Sequence, residues 1–141
     1  MSKKTIWITG GSTGIGKALA IKFASKGWNV AVSARRAELL NDISNSYENI
    51  SSFPLDVTDK DMCKEVFNKI KNKYESIDIC FFSTGTWDPK KEKEIDVERM
   101  EDVFKINFFG TVNSIKAVEQ YFRDQKKGII TIVSSIAGYR G

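Results

Sequence analysis

The sequence predicts an α/β fold built on a doubly wound parallel sheet in three layers. Three observations carry this expectation. Short apolar runs alternate with amphipathic stretches along the whole chain, as repeated strand, helix, strand units require. A cluster of glycines stands where the first apolar run gives way to the first amphipathic stretch. A length of 141 residues suits one domain with one modest core and leaves no room for a second.

Taken in order, Ile6 to Thr9 reads as a buried first strand. The following helix is expected from Gly14 to Lys26, with Ile15, Leu19 and Phe23 on one face and Gly27 as its C-cap. Val30 to Ala34 is the second strand, Ala37 to Tyr47 the second helix, and Phe53 to Leu55 the third short apolar step. The spacing Thr58, Asp59, Lys60, Asp61 resembles a capping box, after which Met62, Val66, Ile70 and Tyr74 recur every four residues of a helix. Ile77 to Phe82 is the fourth strand, and Thr86 to Glu94 is a polar loop carrying Pro89. A long helix is expected from Val97 to Arg123. Gly110 inside it costs about 1 kcal/mol relative to alanine, so it should have a packing or functional reason. Gly128 opens the fifth strand, Ile129 to Val133, which leads into Ser134 and Ser135.

Composition narrows the chemistry. With 41% hydrophobic and 28% charged residues and a mean hydropathy of -0.30, the chain suits neither disorder nor a membrane bundle. No run approaches the roughly 18 apolar residues of a spanning helix, and Met1 to Thr5 leads straight into strand-like sequence, so a cytoplasmic address is expected. The absence of histidine excludes imidazole triads and His-ligated metals. Cys63 and Cys80 suggest neither a disulfide framework nor a zinc site and read as buried small apolar residues. Net charge is +4, but the lysines are scattered at Lys3 and Lys4, Lys90 to Lys93, and Lys126 and Lys127. No basic stripe interleaved with aromatics suggests a nucleic-acid surface.

The glycine cluster runs Thr9, Gly10, Gly11, Ser12, Thr13, Gly14, Ile15, Gly16. At a strand-to-helix turn, minimal side chains let the backbone approach a phosphate while the helix amides point at the anion. Both flanking elements are expected here, which favours phosphate binding over a bare glycine-rich turn. The spacing is TGxxxGIG rather than the commoner GxGxxG.

With that spacing the chain resembles the short-chain dehydrogenase/reductase family, and further matches follow in the family's order. Asp56 and Val57 look like the adenine-contacting pair after the third strand. Asn107, before Phe108, Phe109 and Gly110, is similar to the tetrad asparagine of the fourth helix. Ser135, in Ser134, Ser135, Ile136, Ala137, Gly138, is similar to the catalytic serine after the fifth strand. The resemblance covers essentially the whole chain and implies one Rossmann-like dinucleotide-binding domain over residues 1–141. It implies cofactor contacts at Gly10, Ser12, Thr13, Gly14, Ile15, Gly16, Asp56, Val57 and Gly85, and catalytic roles for Ser135 and Asn107.

An acidic residue at the end of the second strand would bind the adenosine ribose and repel a 2′-phosphate. This sequence has Ala34 there, then Arg35 and Arg36. A guanidinium forks onto a phosphate and stacks on adenine, so Arg35, with Arg36 beside it, is expected at the 2′-phosphate, and NADP(H) is expected over NAD(H).

The sequence departs from the family's pattern in two places. The usual Asn-Asn-Ala-Gly is Phe82, Ser83, Thr84, Gly85, so Ser83 and Thr84 hydroxyls would replace the asparagine amides only in part. The family's Tyr-x-x-x-Lys is missing: Tyr47, Tyr74 and Tyr121 are followed at that spacing by Ser51, Asp78 and Gln125. The expectation is therefore the amino-terminal portion of an NADP(H)-dependent oxidoreductase acting on a small carbonyl or alcohol, truncated after the fifth strand and with no more than trace activity by itself. The alternative is a non-catalytic dinucleotide-binding or interaction module. An exposed fifth-strand edge and a long helix without a neighbour would favour a homo-oligomer.

Overall fold

The computed structural model describes residues 3–87, 95–136 and 139. The chain runs β1 (Thr5–Thr9), α1 (Gly14–Ser25), β2 (Asn29–Ser33), α2 (Ala37–Ser46), β3 (Ile50–Ser52), α3 (Lys60–Lys73), β4 (Ile79–Phe82), α4 (Val97–Phe104), a π-helical turn (Lys105–Phe109), α5 (Gly110–Gln125) and β5 (Ile129–Ile132). All strand pairs are parallel, in the order β3-β2-β1-β4-β5. The chain winds outward from β1 to β3 and then resumes on the other side of β1. Between β1 and β4 the winding reverses, and their C-terminal ends open a crevice of the kind that binds ligands in doubly wound sheets. This is a Rossmann-like α/β fold.

Strand alternation sorts the core into two layers. Ile6, Ile8, Val30 and Val32 face Ala20, Ala24, Leu40 and Ile43 of α1 and α2. Trp7, Ala31, Cys80 and Phe82 face the other way, onto Val66, Phe67 and Ile70 of α3 and Val118 of α5. Trp7 is fully buried in mid-sheet, opposite Ala31 and Cys80, whose small side chains leave room for the indole. Phe82 meets it edge-on at 5.6 Å between ring centres and Phe67 lies at 5.7 Å. Its Nε1–H donates to Ser33 Oγ at 2.9 Å. Both cysteines are buried, as their sequence context suggested.

Several local expectations are corrected. The buried stripe of α1 is Gly16, Ala20 and Ala24 rather than Ile15, Leu19 and Phe23. Only small residues let this helix lie close on the sheet, so Leu19 and Phe23 are half-buried at its flanks and Ile15 is exposed. The ladder of β3 is Ile50 to Ser52, not Phe53 to Leu55, although Phe53 N–H and Leu55 N–H go on to donate to the Val32 and Ala34 carbonyls. Thr58 does not cap α3. Its own N–H and hydroxyl donate to Asp56 Oδ1, and Asp59 accepts from the Asp61 and Met62 amides instead. β4 starts at Ile79 rather than Ile77, whose N–H donates to the Tyr121 hydroxyl. Gly27, at φ +80°, ends α1 as expected. Residues 88–94 of the expected polar loop, and Ala137 and Gly138, lie outside the described residues.

The long helix is not continuous. One π-helical turn inserts an extra residue between α4 and α5. Gly110 follows it because a Cβ there would stand 2.4 Å from Val57 Cγ2. Gly110→Ala is expected to destabilise the fold by a net 1–3 kcal/mol or so, the overpacking outweighing alanine's better helix propensity. Urea unfolding checks this, with Val57→Ala in the same chain recovering part of the loss; an unchanged midpoint would mean that Val57 yields at no cost.

Candidate cofactor cleft

The glycine loop folds back on the end of β4. Gly10 and Gly14 have φ of +69° and +54°, a region that favours glycine. A Cβ on Gly10 would stand 2.7 Å from the Ser83 carbonyl oxygen, and one on Gly16 would stand 2.3 Å from the Gly10 carbonyl oxygen. Thr13, which precedes α1, makes no side-chain cap, and no acidic residue occupies the first turn. In α3 and α4, by contrast, Asp59 and Asp96 take up the leading amides. The amides of α1 therefore point into the crevice without a side-chain acceptor, where an anion would satisfy them.

The loop forms the middle of a cleft of about 720 Å³. One end is built by Ala34, Arg35 and Arg36 after β2 and by Leu55, Asp56 and Val57 after β3. Burial by itself would raise the Asp56 pKa. The two hydrogen bonds from Thr58 and the charges of Arg35 and Lys105 outweigh it, and the carboxyl titrates below its ordinary value. The other end is built by Ser83 to Thr86 after β4, Val133 after β5, and Ile106 of the π-helical turn. Ser83 Oγ donates to the Thr9 carbonyl at 2.7 Å, bracing β4 against β1, whereas Thr84 Oγ1 is buried without a partner. Of these two hydroxyls after β4, only that of Ser83 thus ties the central strands together.

All eleven sequence-predicted cofactor residues, Gly10, Ser12, Thr13, Gly14, Ile15, Gly16, Arg35, Arg36, Asp56, Val57 and Gly85, line this one cleft. Asn107 stands behind its wall. Its Oδ1 accepts from Thr86 N–H at 2.7 Å, its Nδ2 donates to the Thr86 carbonyl at 2.9 Å, and Gly85 lies against it. Ser135 is exposed, two residues past the lining residue Val133. Thr86 and Ile106 were missed, although each directly adjoins a residue singled out in the sequence, Gly85 and Asn107. The thiols suit no nucleophilic role, because burial pushes Cys63 up to about 11 and Cys80 higher still. Among the described residues, no group of three or more metal-ligating side chains forms.

The sequence matches the short chain dehydrogenase family over residues 4–141. The chain belongs to that family. It is similar to the dehydrogenase/reductase SDR family protein 7-like of Dictyostelium discoideum, 32% identical over 98% of this chain and 47% of the relative. It is equally similar to the 3-oxoacyl-[acyl-carrier-protein] reductase FabG of Thermotoga maritima, 32% identical over 98% of this chain and 58% of that protein. Among solved structures, ElxO with NADP bound superposes with a TM-score of 0.90 at 32% identity, covering 100% of this chain and 58% of its own. The chain thus spans about half the length of the curated relatives it matches. Its glycine loop sits where the sheet reverses its winding.

Proposed function

We propose that this chain is the dinucleotide-binding domain of an NADP(H)-dependent oxidoreductase that interconverts a small carbonyl compound and its alcohol. The residues present suit such a cofactor: the cradle has no room for a Cβ at Gly10 or Gly16, and the α1 amides face it uncapped. Gly10, Ser12, Thr13, Gly14, Ile15 and Gly16 would hold the pyrophosphate, Asp56 and Val57 the adenine, and Gly85 the stretch beyond. The observation that carries the choice of NADP(H) is the end of β2. There Arg35 and Arg36 line the cleft and Ala34 takes the place of a ribose-binding acid.

The nicotinamide, when bound, supplies or accepts the hydride. Ser135 Oγ donates to the substrate oxygen and holds it in place. Asn107, whose amide is committed to Thr86, acts as a positioning residue for the wall between cofactor and π-helical turn. These 141 residues contain no Tyr-x-x-x-Lys to supply the proton, so the chain by itself is proposed to bind cofactor without turnover. A cytoplasmic location and self-association belong to the same proposal. Val97, Met100, Phe104, Phe108 and Val112, exposed from α4 through the π-helical turn into α5, support self-association.

Calorimetric titration tests the cofactor. NADPH is expected to bind more tightly than NADH, and Arg35→Ala to weaken NADPH by about 10- to 100-fold, the worth of a charged hydrogen bond, while leaving NADH nearly unchanged. Equal losses for both nucleotides would remove Arg35 from the 2′-phosphate.

A further inference from the structure

The first turn of α5 grips the loop between β3 and α3. Gly110 and Asn113 lie three residues apart and share one side of the helix. Gly110 seats the Val57 side chain, which would stand 2.4 Å from any Cβ placed there. Asn113 Nδ2 donates to the Val57 carbonyl at 3.0 Å and reaches the Thr58 carbonyl at 3.4 Å. The Cys63 thiol, a weak donor, adds a contact of 3.6 Å to the same Val57 carbonyl. Thr58 in turn gives its N–H, at 2.9 Å, and its hydroxyl, at 2.8 Å, to Asp56 Oδ1. Among the described residues, Asp56 Oδ2 accepts no hydrogen bond, and Asp56 lines the cleft. A relay thus runs from a side chain outside the cleft to a carboxylate in its wall.

We propose that Asn113 is a positioning residue for the adenosine half of the cofactor, holding the Asp56–Thr58 turn so that the Asp56 carboxylate is presented to the adenine. The inference rests on the cofactor reading above and adds to it a residue that does not line the cleft. Its physical basis is the planarity of the peptide unit. The Val57 carbonyl and the Thr58 N–H belong to one plane, so the amide that fixes the carbonyl also fixes the donor that holds Asp56 Oδ1. Without Asn113 the carbonyl keeps only the thiol, and the plane is free to tilt toward water. Thr58 N–H then swings off Asp56, and the carboxylate must be ordered again each time a nucleotide binds. That ordering appears as lost affinity. A tether that merely fastens α5 to the loop would cost stability and leave affinity alone.

The test is calorimetric titration with NADPH and with adenosine 2′,5′-bisphosphate, its adenosine end, alongside thermal melts. Asn113→Ala is expected to weaken both nucleotides by about tenfold, the worth of one hydrogen bond. Asn113→Asp keeps the shape but turns the donor into an acceptor facing two carbonyls, and should lose at least as much. Tyr121→Phe is the control on the same helix. It removes the hydroxyl that accepts from Ile77 N–H at 3.0 Å, so it should lower the melting temperature and leave both affinities unchanged. In an Asp56→Ala background, Asn113→Ala should cost no more than about threefold further, because the carboxylate it positions is gone. Parental affinity in both Asn113 variants would overturn the proposal. So would a full tenfold further loss in the Asp56→Ala background, or affinities that simply follow the melting temperature across all variants, Tyr121→Phe included. Failure of the parent protein to bind either nucleotide would instead overturn the cofactor reading, and this inference with it.

Discussion

Gly16→Ala is expected to reduce NADPH affinity by about 100-fold or more, with a smaller loss of stability. The new Cβ would stand 2.3 Å from the Gly10 carbonyl oxygen, 2.8 Å from its carbon and 2.9 Å from Ser83 Oγ. Gly10 has little room to retreat toward β4, because even a Cβ built on it would stand 2.7 Å from the Ser83 carbonyl oxygen. The first turn of α1 must therefore lift away, taking the Ser12–Gly14 loop and the leading amides with it. Overpacking of this kind costs about 1–3 kcal/mol, and a displacement near 1 Å in a phosphate cradle is enough for about two decades of affinity. Gly27→Ala is the control. Gly27 also has positive φ, but a Cβ there meets nothing within 4 Å, so its variant should lose about 1–2 kcal/mol from strain and bind NADPH as the parent does. Calorimetry and thermal melts on the two variants separate site from fold. Parental affinity in Gly16→Ala would show that the loop is not the phosphate cradle.

The contacts at Gly16 also explain why so much of the cleft was legible in the sequence. In a parallel sheet every strand delivers its C-terminal end to the same edge, so residues following β1, β2, β3 and β4 converge without any long-range information. Gly10 to Gly16, Arg35, Arg36, Asp56, Val57 and Gly85 all belong to that edge. Ile106 and Thr86 arrive by another route. The π-helical turn rotates Lys105–Phe109 so that Ile106 reaches the cleft and Asn107 meets the Thr86 backbone. A single extra residue in a helix leaves no mark in hydrophobic periodicity. Its trace in the sequence was Gly110, read as a residue in need of a reason but not as the seat of Val57.

The misread elements share a physical cause. Periodicity favours large side chains, whereas close packing on a sheet favours small ones, so Ile15, Leu19 and Phe23 were put where Gly16, Ala20 and Ala24 belong. Phe23 finds its partner at the helix flank, edge-on to Trp28 at 4.8 Å. At β3 the apolar run Phe53 to Leu55 stands just past the ladder that Ile50 to Ser52 make with Val30 to Val32. Hydrophobicity reports burial there, and ladder pairing follows the neighbouring strand.

Trp7→Ala is expected to cost about 3–5 kcal/mol, a large part of what a domain of this size has in total. The indole fills the space left by Ala31 and Cys80 and packs on Phe67 and Phe82, so it joins β1 to the layer of α3 and α5. Trp7→Phe isolates a second contribution. It keeps a ring but removes the Nε1–H, leaving Ser33 Oγ buried at 0% exposure without its donor, an added penalty of about 1–3 kcal/mol. Ser33→Ala should then be better tolerated in the Trp7→Phe background than in the parent, a non-additivity that urea unfolding of the double-mutant cycle measures. Additive losses would mean that the indole–hydroxyl bond contributes nothing. NADPH affinity of the folded protein should stay within a few fold throughout, because Trp7 faces the α3–α5 layer, two residues below Thr9 and the loop that Ser83 braces. Stability and binding should therefore respond to different residues of the same β1 segment: Trp7 governs how firmly the sheet is held, and Gly16 governs what its upper edge can hold.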